Sequence, residues 1–120
     1  MFYKYKRDYE KITMGLLSFI PDLKNVANLK SELVWYQQDE NRCIFLWKDN
    51  KNNFVGVLGV EIEEEYLLIR QIAVTPSARN KGISFEMLDT LQANYADKKI
   101  LGSIDTTDII KKWEMSHATK

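Results

Sequence analysis

Residues 72–88 read Ile72-Ala73-Val74-Thr75-Pro76-Ser77-Ala78-Arg79-Asn80-Lys81-Gly82-Ile83-Ser84-Phe85-Glu86-Met87-Leu88. An apolar strand runs into a short polar loop with a proline. The loop ends in Arg-x-x-Gly-x-Ser and opens into an amphipathic helix. Such a junction builds an anion site from main chain alone. The first turn of a helix leaves its N–H groups without intrahelical partners, and they stand at the positive end of the macrodipole. A phosphate or pyrophosphate fits there. Gly82 lets it approach the backbone closely, and Arg79 and Lys81 add charge to the same rim. Without a ligand, the same residues are a strand-to-helix turn with a basic edge.

The elements that must hold this loop can be read along the chain. Phe2, Tyr3, Lys4, Tyr5 and Lys6 alternate as a short first strand. Asp8 caps a helix over residues 8–20, with Tyr9, Ile12, Leu16, Phe19 and Ile20 at helical spacing. Pro21 stops it, having no N–H and disfavouring helix in the residue before it. A second helix covers residues 25–38, with Val26, Leu29, Leu33 and Tyr36 as its stripe. Strands follow at 43–48 and 54–62, joined by an Asp-Asn-Lys-Asn-Asn turn into a hairpin. Gly56 and Gly59 inside the second of these predict a bulge or a close approach. A fourth strand covers 66–74 and a third helix 82–95, with Ser84, Met87, Leu88, Leu91 and Tyr95 on one face. A fifth strand over 99–104 leads to a last helix over 106–115 that buries Ile109, Ile110 and Trp113. The reading is one α/β domain over residues 1–120 with a mixed sheet, in the order β-α-α-β-β-β-α-β-α.

Composition narrows the function classes. One hundred and twenty residues suffice for one core. Seventeen basic residues cancel seventeen acidic ones, so the basic excess usual for nucleic-acid binders is missing. Apolar runs are far too short for a membrane span, and the alternating, charged N-terminus is not a signal peptide. The single cysteine, Cys43, cannot form an internal disulfide, which makes a cytoplasmic location the default. Cys43 sits on an apolar strand and reads as a buried, inert thiol. His117, the only histidine, falls in a polar tail without partners for a metal site. Trp35, Trp47 and Trp113 read as core or rim anchors. Gly15 inside a helix costs about 1 kcal/mol relative to alanine. It implies close helix packing or space for a substrate.

The loop and its flanks resemble motif A of the GNAT superfamily of N-acetyltransferases. That signature is Gln/Arg-x-x-Gly-x-Gly/Ala after a Val-x-Pro turn at the end of the fourth strand. Arg79, Gly82 and Ser84 stand at its three positions, and Val74 and Pro76 match the turn. Ser84 departs from the family's Gly or Ala. Tyr-Glu-Lys-Ile-Thr-Met-Gly-Leu-Leu-Ser-Phe-Ile-Pro from Tyr9, and Phe45-Leu46-Trp47-Lys48, are similar to a subfamily of small GNAT-like proteins encoded in riboflavin biosynthesis operons of Bacillus-type bacteria. The resemblance implies a GNAT fold with a shortened C-terminus, and acetyl-CoA as cosubstrate. Ile72, Ala73 and Val74 would meet the pantetheine arm by main chain in the gap between strands four and five. Arg79, Asn80, Lys81, Gly82, Ile83 and Ser84 would hold the pyrophosphate. Ser103 is the nearest match to an asparagine that the family often has on strand five. The family adds strands six and seven where this chain stops. The edge of strand five is then open or covered by a partner chain, and a homodimer fits.

The catalytic residues are not evident. Many relatives use a tyrosine on the last helix as acid, and here Ile110 is near that place, with no tyrosine after Tyr95. A glutamate on strand four is a common base, and the matching position is Leu68. Glu65 falls in a solvated acidic turn, and Asp105 reads as a cap for the last helix. Two functions fit this pattern. One is an acetyl-CoA-dependent N-acetyltransferase acting on a small-molecule or protein amine, with a link to riboflavin metabolism. The other is a non-catalytic acyl-CoA-binding or regulatory module.

Overall fold

The computed structural model describes residues 1–118. Its sheet has five strands in chain order: β1 (Phe2–Lys4), β2 (Arg42–Lys48), β3 (Phe54–Ile62), β4 (Tyr66–Val74) and β5 (Lys99–Gly102). β1 to β4 are antiparallel neighbours, and β5 joins β4 in parallel. A parallel pair needs a crossover, and α3 (Ile83–Asn94) supplies it. The expected mixed α/β architecture is present. No helix among the described residues is long and apolar enough to cross a membrane.

The sheet buries both faces. On one side α1 (Glu10–Leu17) and α2 (Val26–Gln37) bring Leu16, Leu17, Leu29, Leu33 and Tyr36 onto Ile44, Leu46 and Val57. On the other, α3 and α4 (Thr107–Ala118) bring Met87, Leu88, Leu91, Ile110 and Trp113 onto Leu58, Val60, Leu67 and Ile69. A strand covered on both faces has no polar side to show, which explains the nearly continuous apolar run of β3. Cys43 is buried, and burial pushes its thiol pKa up.

The helices differ from their expected limits. Asp8 lies within a 3-10 turn, Arg7–Tyr9, and caps nothing by its side chain. α1 ends at Leu17, well before Pro21, and the Ser18 hydroxyl donates to the Gly15 carbonyl at 2.6 Å. A Cβ on Gly15 would meet no atom, so the close packing expected there is absent. α2 starts where Asn25 accepts from the Ala27 amide at 2.7 Å, a side-chain cap that fixes the helix start. Val26 is exposed, and Leu29, Leu33 and Tyr36 alone form the buried stripe. β5 ends at Gly102, before the expected residue 104, and Ile104 is fully exposed. α4 runs past Met115, so His117 is on a helix and not in a tail. Its Nε2 is 2.9 Å from Asp89 Oδ1, which also accepts from Trp113 Nε1 at 2.9 Å.

The expected irregularity near Gly59 is a bulge with its extra residue on β4. Gly59 pairs with Gln71 and Val60 with Ile69, which leaves Arg70 without a partner. The parity of β4 changes there. Leu67 and Ile69 face α3 and α4, but beyond the bulge Ile72 and Val74 do, and Ala73 faces α1 and α2. Gly59 also permits a close approach. A Cβ at that position would overlap the Tyr36 hydroxyl and lie 2.9 Å from Gln71 Oε1. Gly59→Ala is therefore expected to lower stability by about 1–3 kcal/mol, read from urea unfolding. An unchanged midpoint would show that Tyr36 moves aside without cost.

Candidate active site

β5 leaves β4 after the Ile69–Gly102 pair. The Ile69 carbonyl then accepts from the Ser103 amide at 3.2 Å and from the buried Thr106 hydroxyl at 2.7 Å. The Ser103 amide also donates to Thr106 Oγ1, and the Ser103 carbonyl accepts from Thr107 Oγ1. These bonds turn the chain from the sheet into α4. From Arg70 to Val74, β4 has no neighbour on that side. The Thr75 amide bonds the Val55 carbonyl on β3 at 2.8 Å. Antiparallel ladders alternate, so Ala73 and Gln71 also turn their amides toward β3, while Ile72 and Val74 turn theirs into the gap.

Across the gap stands the start of α3. After the 3-10 turn Pro76–Ala78, Arg79 Nε donates to the Val74 carbonyl at 3.2 Å, which folds the loop back on the end of β4. Asn80 (φ 65°) and Gly82 (φ 76°) take the left-handed conformation that these two residue types tolerate best. Gly82 is the N-cap of α3 and has no side chain to offer. The first amide bond of the helix is from Glu86 to the Gly82 carbonyl, 3.0 Å. The amides of Ile83, Ser84 and Phe85 have no acceptor among the described residues. All three residues line a cavity of about 880 Å³ that also takes in the open edge of β4.

Eight of the ten residues expected at the cofactor line this cavity: Ile72, Ala73, Val74, Arg79, Asn80, Gly82, Ile83 and Ser84. Lys81 is exposed on the loop, outside the lining. Ser103 is half-buried and committed to the cap of α4, also outside it. Asp105 lines the cavity and makes no capping bond; Thr106 is the residue that binds the β4 carbonyl. Leu68 pairs between Glu61 and Leu101, away from the gap. Glu65 is exposed, and its carbonyl accepts from the Lys99 amide.

A polar chain that reaches the cavity lining at Gln71 and Glu32 was not found from sequence. Tyr36 Oη donates to Gln71 Oε1 at 2.6 Å, and Gln71 Nε2 donates to Glu32 Oε2 at 2.9 Å. Burial holds the Tyr36 hydroxyl pKa far above its ordinary value, so it stays a donor. Arg70 lies beside it, with its guanidinium 4.1 Å from the Trp35 ring and Nε buried without a hydrogen-bond partner among the described residues. Arg42 covers Trp35 as well, at 4.0 Å. The one signal in the sequence was Arg70-Gln71, two polar residues together in an apolar strand. Glu32 had none: with Lys30 it is one of two charged residues on α2.

Comparison with known proteins agrees with this fold. Residues 12–109 match the model of the acetyltransferase (GNAT) family. A relative from Bacillus methanolicus, called an uncharacterized N-acetyltransferase in the lysA 3' region, is 37% identical over 121 residues and covers both chains completely. An aminoglycoside N-acetyltransferase in complex with CoA has the same fold, with a TM-score of 0.72 at 14% identity over 96% of this chain and 84% of that one. Glucosamine-6-phosphate N-acetyltransferase from Arabidopsis thaliana gives 0.66 at 13% identity, over 95% and 89%. The chain belongs to the GNAT family and is an acetyltransferase whose cosubstrate is acetyl-CoA.

Proposed function

We propose that this acetyltransferase, a single domain over residues 1–120, carries the acetyl group of acetyl-CoA to an amine that arrives as a cation. One observation carries the reading: the unpaired edge of β4 and the unpaired amides of α3 open into the same cavity. Ile72 and Val74 would hold the pantetheine arm through main-chain groups, while Ala73, expected to share that role, has its own turned to β3. Arg79, Asn80, Gly82, Ile83 and Ser84 would hold the pyrophosphate, where helix amides and dipole favour an anion. Lys81 would act only by charge from outside the lining, and Ser103 through the cap that keeps the gap open. Acetyl-CoA supplies an activated thioester. The Val74 amide, at the end of the free edge, is the donor suited to polarise its carbonyl.

The charge of the cavity lining supports a cationic amine. With Arg79 assigned to the pyrophosphate end, the remaining lining has Asp22, Glu32 and Asp105 against Arg70 alone. A cleft of one sign draws in ligands of the other. The acceptor is a small-molecule or a protein amine. The aminoglycoside named for one fold neighbour is a polycationic amine of this kind and makes a suitable first probe.

The link to riboflavin metabolism rests on the resemblance of residues 9–21 and 45–48 alone. Failure to co-purify with any riboflavin enzyme would count against it. Cytoplasmic location is part of the same reading. So is a homodimer, because β5 ends the sheet with Leu101 and Ile104 exposed beside it. A monomer mass from light scattering at micromolar protein would remove the homodimer.

The cofactor reading has a direct test in titration calorimetry. Acetyl-CoA and CoA should both bind at micromolar protein. Gly82→Asp should lose roughly 1–4 kcal/mol of affinity, about fivefold or more, from one negative charge set beside the pyrophosphate. A Cβ at Gly82 meets no protein atom, so the variant should fold despite its positive φ. Undiminished affinity would mean that the pyrophosphate lies elsewhere.

A further inference from the structure

Three carboxylates line the cavity, those of Asp22, Glu32 and Asp105, and they are not equivalent. Asp22 and Asp105 are exposed, and neither carboxylate accepts a hydrogen bond from any described residue. Glu32 is half-buried and held. Gln71 Nε2 donates to Glu32 Oε2 at 2.9 Å. Gln71 cannot rotate freely, because its Oε1 accepts from Tyr36 Oη at 2.6 Å. The amide orientation is forced from both ends: a hydroxyl donor needs the oxygen, and a carboxylate needs the NH₂. Tyr36 is itself fixed, 4% exposed beneath the backbone of Gly59, where no side chain would fit. Gln71 directly precedes Ile72, whose main-chain groups face the gap. Glu32 thus stands one side chain away from the strand edge assigned to the cosubstrate, with its second oxygen uncommitted.

Resting on the acetyltransfer reading above, we propose that Glu32 is the general base that takes the proton from the acceptor amine, with Gln71 and Tyr36 as the positioning residues that hold its carboxylate. The acceptor nitrogen forms its bond to the thioester carbonyl carbon, the C–S bond breaks, and the sulfur leaves with the bonding pair. The arriving ammonium first gives one proton to Glu32, which frees the lone pair that attacks, and the second proton, lost once the N–C bond has formed, passes through water to the departing thiolate. Glu32 returns its proton to water after product leaves. No oxidant, metal or further reactant enters the balance. β4 itself carries no Asp or Glu from Tyr66 to Val74. Beyond the bulge, β4 offers a glutamine that orients a carboxylate from α2 instead.

The test uses the full chain, acetyl-CoA, and spermidine and kanamycin as amine probes, with release of CoA thiol as the rate and calorimetry as a separate measure of acetyl-CoA binding. Glu32→Gln keeps an acceptor for Gln71 Nε2 and removes only the base. It should bind acetyl-CoA as wild type does, while kcat falls by about 10²–10⁴-fold. Glu32→Ala should fall equally, and added formate should restore part of its rate, which a purely structural role would not allow. Tyr36→Phe should bind acetyl-CoA normally with a smaller loss of kcat. A Glu32→Gln variant with wild-type kcat overturns the proposal, as does a Glu32→Ala variant that formate does not restore. Wild type that binds acetyl-CoA but releases no CoA to either amine also overturns it. Wild type that does not bind acetyl-CoA at all is a different result: it removes the acetyltransfer reading first, and the role of Glu32 with it.

Discussion

The Ile69 carbonyl accepts two donors from one departing loop, the Ser103 amide and the Thr106 hydroxyl, and at this point the parallel pairing of β4 and β5 stops. A carbonyl has two lone pairs, so both bonds can form on one oxygen. The rest of the site depends on this arrangement. Had β5 continued along β4, Ile72 and Val74 would have spent their main-chain groups on the ladder. Because α4 starts here instead, the last part of β4 is an edge inside the molecule, facing the start of α3. Buried main-chain groups demand partners. An edge left open in a sheltered cavity is therefore a place for a ligand that can supply them.

The bulge at Arg70 acts together with that departure. One extra residue reverses which side chains face which layer. Ile72 and Val74 complete the apolar layer under α3, and Gln71 turns toward α2, where Tyr36 and Glu32 stand. A polar layer of this kind is costly unless each member is satisfied; an orphaned buried group costs about 1–3 kcal/mol. Tyr36, Gln71 and Glu32 meet this requirement in series. Gly59 supplies the space they need, and any larger residue would displace the hydroxyl at the head of the series.

Much of the fold was legible from the chain. The limits of β3 and β4 followed from apolar runs bounded by the turn at Asp49–Asn53 and the acidic run after Glu61. The loop before α3 was legible for a local reason: its shape lies in backbone conformation, and Pro76, Asn80 and Gly82 each announce a conformation by residue type. Errors came where tertiary contact overrides local signals. α1 ended early, Val26 proved solvent-exposed, and α4 continued through His117 because Asp89 on α3 gives both Trp113 and His117 a partner. Ser103 and Asp105 were weighed for roles that depend on the path of a loop, and that path is set by Thr106 reaching back to β4.

By itself the sequence determined the order of elements and the loop-to-helix junction at Gly82, since each depends on residues close together along the chain. The tertiary structure alone decided the Tyr36–Gln71–Glu32 chain of hydrogen bonds. Glu32 and Gln71 are far apart in sequence, with Tyr36 on the helix turn after Glu32, and no local pattern connects them. They meet because a bulge shifts the parity of β4 and because a glycine on β3 makes room beneath Tyr36. Parity is a cumulative property of strand pairing: one unpaired residue changes the facing of every later side chain, and only the assembled sheet shows where that residue lies.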